Sequence, residues 1–478
     1  MVLTTLTDGI SRGVDGLTST ISETLFEPVV RLGVTGLARS GKTVFITSLV
    51  ANLLDRGRMP QLSGAASGAI TSAYLRPQPD DTVPRFPFES NLAKLLGAEP
   101  QWPEATSAIS ELRVSLRVQP HGFLGALSGP RTVHLDIVDY PGEWLLDLTL
   151  MGQDFVTWSA HALENLRARP GGAAYLSALA ATDPTGKLDE VTATTLAERF
   201  AHALKSARDA GYSDCTPGRF LMPGEMAGSP ALTFAPLPAG ASPPLPAGAS
   251  PRGSLAREFA RRFEAYKSQI VRPFFRDHFS RIDRQVVLVD ALGALNAGPR
   301  AVDDLRRTMA ETLTAFRPGT NSWLSALTGR RVERILFAAT KADHIHHRQH
   351  PQLTAIMTAL VDDAKRRADF AGAQTMAMSL AALRVTVEEE RAHKGTTLDV
   401  VRGRLSDNGK EAAFYPGLLP TDPNAVLAPA REGAERWLDG DFQAMRFSPA
   451  RLSLAPGEGP PHIRLDRAAE FLFGDRLR

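Results

Sequence analysis

Gly36-Leu37-Ala38-Arg39-Ser40-Gly41-Lys42-Thr43 stands between an apolar run, Val30 to Thr35, and a helical pattern running from Val44 to Leu54. The eight residues complete the G-x-x-x-x-G-K-[ST] pattern, and their context matters more than their letters. A strand delivers such a loop and a helix leaves it. Backbone N–H groups and the helix N-terminus then point together at a phosphate. Gly36 and Gly41 allow a backbone approach that a Cβ would block. The backbone of Gly36, Ala38, Arg39, Ser40, Gly41, Lys42, Thr43 and Val44 is the expected cradle. Lys42 reaches the β- and γ-phosphates, and the Thr43 hydroxyl ligates Mg²⁺. The plain alternative is a glycine turn between a strand and a helix. The combined pattern predicts a chain that binds a nucleoside triphosphate.

Two later stretches extend this reading. Residues 131–138 form an apolar strand that ends at Asp139-Tyr140-Pro141-Gly142. A carboxylate there is placed to hold the magnesium shell, and the Gly142 N–H to meet the γ-phosphate. Thr340-Lys341-Ala342-Asp343 follows a second buried strand, 334–340. The Asp343 carboxylate accepts two hydrogen bonds from guanine N1–H and N2–H₂, which adenine does not offer, so it selects guanine. The stem of Lys341 covers the base. Ala382 and Leu383, at the end of the next strand (Thr375 to Leu380), present backbone to the guanine O6. Asp in a strand-end turn is also routine, so order and spacing carry this assignment.

Thr106, in Trp102-Pro103-Glu104-Ala105-Thr106, is the candidate that senses the γ-phosphate and completes the Mg²⁺ shell. GTPases of the Ras type keep such a threonine in a loop before the second strand. Ser107 and Ser110 compete for the role. Glu143 occupies the place where many such GTPases carry a water-positioning Gln. It either orients the attacking water or is a surface acid favoured by a helix start.

The wider pattern is α/β. Residues 111–118 alternate strictly and read as a half-buried strand, joined to 131–138 by a turn at about 120–130. Strands at 285–290, 334–340 and 375–380 alternate with helices at 301–316 and 351–369. Such alternation builds a mostly parallel sheet with helices on both faces. Helical patterns at 144–169, 185–210 and 254–277 interrupt it. The expected organisation is an N-terminal amphipathic helix over 1–28, a discontinuous P-loop GTPase domain over 29–143 and 284–395, a helical insertion over 144–283, and a C-terminal α+β segment over 396–478. That last segment carries short strands near 399–405, 411–415 and 461–465, then a helix over 466–473. A linker, 214–253, contains Pro-Leu-Pro-Ala-Gly-Ala-Ser-Pro twice, at 236–243 and 244–251, and reads as a surface loop without chemistry.

Composition bounds the rest. Over 478 residues the net charge is +2, which gives no specific nucleic-acid signal. The one cysteine, Cys215, excludes an internal disulfide and a cysteine-based zinc site, as expected of a cytoplasmic chain. No apolar run approaches the roughly eighteen residues of a membrane span. The stripe Leu3, Leu6, Ile10, Val14, Leu17, Ile21, Leu25 is helical. Asp8, Asp15 and Glu23 on its polar face favour docking on protein over a membrane surface, which usually recruits a basic helix.

Taken together, Val34 to Leu49, Trp102-Pro103-x-x-Thr106, Asp139-Tyr140-Pro141-Gly142-Glu143-Trp144, Gly218-Arg219-Phe220, Val287-Leu288-Val289-Asp290 and Thr340-Lys341-Ala342-Asp343 resemble the YcjX-like bacterial P-loop proteins. Phe414-Tyr415-Pro416-Gly417, Pro461 to Arg467 and Gly474-Asp475-Arg476-Leu477 extend the resemblance through the tail. It implies a Ras-like GTPase core with a helical insertion, in a bacterial stress-associated protein. Members are catalogued both as ATPases and as GTPases and often accompany a multi-spanning membrane protein. That makes a membrane-protein partner, and a peripheral place at the inner membrane, an expectation of the resemblance. The loop itself resembles that of guanylate-binding proteins, where an Arg at the position of Arg39 folds onto the phosphates as an internal finger. A solvated Arg beside an anionic site is the alternative. The leading expectation is a Mg²⁺-dependent, GTP- and GDP-binding switch that hydrolyses GTP. The competitors are an ATP-dependent phosphotransferase or ATPase, a nucleotide-stabilised scaffold, and a dynamin-like membrane remodeller.

Overall fold

The computed structural model describes residues 27–37, 39–104, 108–119, 129–238, 253–314, 332–370, 372–437 and 442–478. The expected N-terminal helix, apart from its last two residues, lies outside them. So do Ala38, Thr106, the turn at 120–128 and most of the duplicated octapeptide.

A seven-stranded sheet runs in the order β2-β3-β4-β1-β5-β6-β7. Its strands are β1 (Val29–Gly36), β2 (Ile70–Arg76), β3 (Ser110–Val118), β4 (Arg131–Asp139), β5 (Arg284–Val289), β6 (Arg334–Ala339) and β7 (Gln374–Ser379). β1 is parallel to β4 and β5, and β6 is parallel to β5 and β7. β3 is antiparallel to both β2 and β4. This is the mostly parallel, doubly covered sheet that the alternating pattern predicted.

The period-two alternation of strands decides how the faces are filled. Val286 and Leu288 of β5 and Leu336 and Ala338 of β6 face one core. That core is shared with Phe45, Ile46 and Leu49 of the loop helix Lys42–Leu54. Val287, Val289, Ile335, Phe337 and Ala339 face the other, against helices His350–Leu360 and Pro299–Thr314. The helical block after β4 builds a third core around Trp158, Phe200, Phe234 and Phe263. There the Trp158 and Phe263 rings stack with centroids 5.0 Å apart.

Several sequence expectations shift. The pattern 144–169 resolves into a short helix Gly142–Leu146, a 3₁₀ turn Asp147–Gly152 and a helix Phe155–Ala168, which Asp154 caps by accepting from the Thr157 N–H at 2.7 Å. The pattern 254–277 breaks at a π turn, Lys267–Val271, just before Pro273. The stretch 461–465 is not a strand: Ile463 makes only an isolated bridge with Ala381. Three strands of the tail region form a separate antiparallel sheet, β10-β9-β8. It comprises β8 (Val387–His393), β9 (Thr396–Arg404) and β10 (Glu411–Phe414), so it begins inside the span expected for the GTPase domain. β8 reads Val-Glu-Glu-Glu-Arg-Ala-His, which has no apolar alternation; the cross-strand Glu389–Arg402 ion pair supports it instead.

The last helix, Leu465–Phe473, is part of the main core. Leu465, Ala468, Ala469 and Leu472 pack with the sheet face that carries the loop helix. Arg284, on β5, pairs with Asp475 at 2.9 Å, and Arg334 donates to the Phe471 carbonyl at 2.6 Å. The chain end therefore closes one face of the sheet.

Candidate functional site

Parallel pairing brings the carboxyl ends of β1, β4, β5, β6 and β7 to one edge of the sheet, where open α/β sheets place ligand sites. Register keeps those ends level. Val34 pairs with Asp139, Gly36 with Leu288, Val289 with Ala339, and Ala339 with Ser379. The loops leaving these ends line a cleft of about 660 Å³. Gly36, Leu37 and Arg39 to Phe45 border it, and so do Glu143, Asp290, Thr340, Lys341, Asp343 and Ala381 to Leu383. Thus Gly36, Arg39, Ser40, Gly41, Lys42, Thr43, Val44, Glu143, Lys341, Asp343, Ala382 and Leu383 meet at one site. Asp139 and Gly142 do not line the cleft. Asp139 lies directly behind Lys42, and Gly142 behind Gly36.

Gly41 caps the loop helix in the left-handed conformation, at φ 78°. Gly142 is required by close approach: a Cβ there would sit 1.9 Å from the Gly36 carbonyl oxygen. A methyl group at Gly142 would drive the loop and the start of helix Gly142–Leu146 apart. Gly218 is packed in the same way, 2.0 Å from the Glu143 carbonyl for an added Cβ.

Three cations bordering the cleft are paired with carboxylates. Lys42 Nζ lies 2.8 Å from Asp139 Oδ1 and donates to the Tyr140 carbonyl at 2.7 Å. Lys341 pairs with Asp290, whose other oxygen accepts from the Gly293 N–H at 2.9 Å and caps the helix Ala291–Ala297. Arg39, at φ 65°, reaches Asp209 at 3.4 Å, where helix Glu190–Asp209 ends. The guanidinium therefore points to the insertion and not across the phosphate loop. Asp343 is buried, and its Oδ2 accepts from the Val385 N–H at 2.9 Å, which fixes the carboxylate plane. Thr386 Oγ donates to the Asp343 carbonyl. The alternative of a surface acid at Glu143 is corrected: its side chain is buried at the border of the cleft, and its backbone carbonyl lies against Gly218.

A family model described as the YcjX-like family, DUF463, matches residues 30–477. The chain belongs to the YcjX-like family. Two similar proteins are each named Ras-like GTPase YcjX. That of Escherichia coli (strain K12) is 36% identical over 460 residues, covering 94% of this chain and 96% of its own. That of Shewanella oneidensis (strain MR-1) is 31% identical over 467 residues, covering 94% of each chain. The fold of this YcjX-like chain is that of a P-loop, Ras-like GTPase. Among the described residues no helix is long and apolar enough to cross a membrane.

Sequence reasoning missed several residues at this site. Asp290 ends the run Val287-Leu288-Val289-Asp290, and its partner Lys341 comes from a different strand. Its signal is a carboxylate at the end of a fully buried strand, one strand away from Lys341. Trp102 borders the cleft and donates from its indole N–H to the Phe447 carbonyl at 2.8 Å. Phe447 itself stands edge-on to His344, with ring centroids 5.2 Å apart. Asp209 and Phe447 carry no local signal, because distant elements bring them in.

Behind helix Gly142–Leu146 of this YcjX-like chain lies a buried polar cluster. Asp147 accepts from the Gly218 N–H at 2.7 Å and from the Tyr266 hydroxyl at 2.5 Å. The Arg219 guanidinium sits 3.2 Å over the Trp144 ring. Burial lifts the Asp147 carboxyl from 3.8 to about 7, opposed by these hydrogen bonds and by Arg219. In the unfolded chain Asp147 ionises first as pH rises, while the folded chain keeps its proton. Stability from this group is therefore greatest below pH 4 and falls as pH rises to about 7. Asp147→Asn, whose oxygen accepts from the Gly218 N–H and whose N–H₂ donates to the Tyr266 hydroxyl oxygen, carries no charge and removes that loss. Its melting temperature should draw ahead of the parent between pH 4 and 7, by at most about 4 kcal/mol in stability. A gap independent of pH would contradict this account.

Proposed function

We propose that this chain is a Mg²⁺-dependent GTP-binding and GTP-hydrolysing protein, acting as a nucleotide-dependent switch in a bacterial stress response. One observation carries the reading. The phosphate loop, Lys341, Asp343 and Ala381 to Leu383 all line one cleft at the carboxyl edge of the sheet. That arrangement suits a nucleotide laid along the strand ends, phosphates at Lys42 and base at Asp343.

The residues present suit a hard cation. The Thr43 hydroxyl and the buried Asp139 carboxylate are oxygen donors beside the loop lysine, the set that Mg²⁺ prefers. Thr106, which lies outside the described residues, is proposed to complete that shell. When bound, Mg²⁺ neutralises phosphate charge. The chain's own part is positioning: the Gly36 to Val44 amides orient the phosphates, and Lys42 neutralises developing charge. Glu143, shielded from bulk water, is the group placed to orient an attacking water. Arg39 acts as a finger once a phosphate draws it from Asp209, since an exposed pair holds weakly. The names of the similar YcjX proteins support the guanine reading. Glu143 and Asp147, through Gly218, carry changes at Gly142 into the helical insertion, the surface offered to a membrane-protein partner.

The test is competition for a fluorescent GDP analogue in the presence of Mg²⁺. GTP and GDP are expected to displace it at concentrations at least a hundredfold below ATP, given a buried carboxylate that pairs only with guanine. Equal potency of ATP would overturn the reading and favour an ATP-driven enzyme.

A further inference from the structure

We propose that His346, His347 and Glu388 form a binding site for a divalent transition-metal ion of the zinc class, separate from the nucleotide cleft. The three side chains converge from two elements. His346 and His347 sit in the turn after Asp343, and Glu388 sits on β8. Their donor atoms all lie within 4.8 Å of one another. Glu388 Oε2 is the common point, 2.5 Å from His347 Nδ1 and 3.9 Å from His346 Nε2. The two imidazole rings lie 4.3 Å apart, tilted by 35°.

Two imidazoles and one carboxylate are the borderline-soft donor set that zinc, nickel and copper take up, and that Mg²⁺ and Ca²⁺ do not prefer. Three protein ligands leave a fourth position for water. The surroundings fit. The side chain of His346 is buried, Glu388 is mostly buried, and His347 is open at the surface, so the site has an entry path. The neighbouring cations leave Oε2 to the imidazoles: Arg384 lies 3.6 Å from the other oxygen, Oε1, and Arg348 pairs with Asp399 and Glu390. Asp399 Oδ2 stands 3.9 Å from His346 Nδ1, on the far side of the ring from Glu388. A proton on Nδ1 facing Asp399 frees Nε2 for the metal, the carboxylate–histidine–metal arrangement. That exchange gives up the long contact from the Arg348 N–H to Nδ1, at 3.4 Å.

The site joins the two segments that grip Asp343. Val385 and Thr386, which hydrogen-bond Asp343, precede Glu388, and His346 follows Asp343 by three residues. Bound metal therefore clamps the Asp343 loop against the start of β8. An effect on GDP affinity follows from this, and that consequence alone rests on the guanine reading.

The experiment is Zn²⁺ titration by calorimetry on untagged full-length protein. It is run without nucleotide and in millimolar Mg²⁺, so that hard-cation sites do not compete. One equivalent of Zn²⁺ is expected. His347→Ala, Glu388→Gln and His346→Gln should each weaken it by at least about a hundredfold, since losing a ligand costs more than the roughly ten- to a hundredfold of losing an outer-shell partner. Melting temperatures in the absence of metal confirm that each variant is folded; His347, being exposed, is the decisive one. A Zn²⁺ isotherm absent in the parent, or unchanged in folded His347→Ala and Glu388→Gln, would overturn the proposal. A Zn²⁺ site present while GDP fails to bind would refute the guanine reading and leave the metal site standing.

Discussion

Asp343→Asn lowers GTP affinity by about a hundred- to ten-thousandfold and leaves the fold intact. The magnitude follows from two hydrogen bonds to a charged acceptor, each contributing about 1.5–3 kcal/mol in a buried site. With a carboxamide, one guanine N–H still finds an oxygen, but the other meets an N–H₂ group and is left unpaired. The Val385 N–H can still donate to the amide oxygen, so the loop keeps its anchor. The same substitution should raise affinity for xanthosine triphosphate, whose C2 carbonyl accepts from the new N–H₂. Competition binding with GTP, ATP and xanthosine triphosphate on parent and variant reads this directly. Unchanged GTP preference in the variant would show that Asp343 does not contact the base.

Lys42→Ala should lower turnover by at least about a hundredfold and also destabilise the apoprotein. Lys42 and Asp139 are 9% and 1% exposed, and their charged atoms are 2.8 Å apart. Removing one partner of a buried pair costs about 3–5 kcal/mol, because a carboxylate is left without its counter-ion. An ammonium has three N–H donors. Two are given to Asp139 and the Tyr140 carbonyl, which holds Lys42 in place and leaves the third for a phosphate oxygen. Loss of one such preorganised donor lowers turnover by about a hundred- to a thousandfold. The double variant Lys42→Ala with Asp139→Asn separates the effects. Its melting temperature should recover most of the loss, while GTP hydrolysis stays as low as in the single variant. If the single variant melts like the parent, the pair is not a stabilising contact; if it hydrolyses GTP at the parent rate, Lys42 is not in the machinery.

Much of the site was legible because its parts are local. Gly36 to Thr43, Asp139 to Gly142 and Thr340 to Asp343 each follow an apolar strand, and each strand is short enough to read by its alternation or its buried run. Parallel pairing then forces strand ends to one edge, so three separate motifs imply one cleft without any contact being known. Elements lacking an apolar period were not legible. β2 lies at the edge of the sheet within a stretch rich in Gly, Ala and Pro, and only alternate side chains face the core. β8 carries four charged residues in succession and exposes most of its surface. Such strands are stabilised by cross-strand pairs, which depend on the partner and not on their own composition.

The directions of charged side chains were equally hidden. The composition of the phosphate loop says that Arg39 lies near an anion site. It does not say that helix Glu190–Asp209 ends within reach and takes the guanidinium. Glu143 read equally well as a surface acid. It is buried in a fold where Gly218, seventy-five residues on, lacks the Cβ that would keep its backbone from the Glu143 carbonyl.

By itself, then, the chain's order of residues determined the strand–loop–helix of the P-loop, the parallel sheet and the place of Asp343 just after a strand end. Each of these depends on backbone geometry and hydrophobic period within a few neighbouring residues. Only the tertiary structure decided that the last helix seals the sheet, that Asp290 holds Lys341, and that His346, His347 and Glu388 meet. Those are contacts between segments far apart in sequence, and their energies depend on distances that no local pattern encodes.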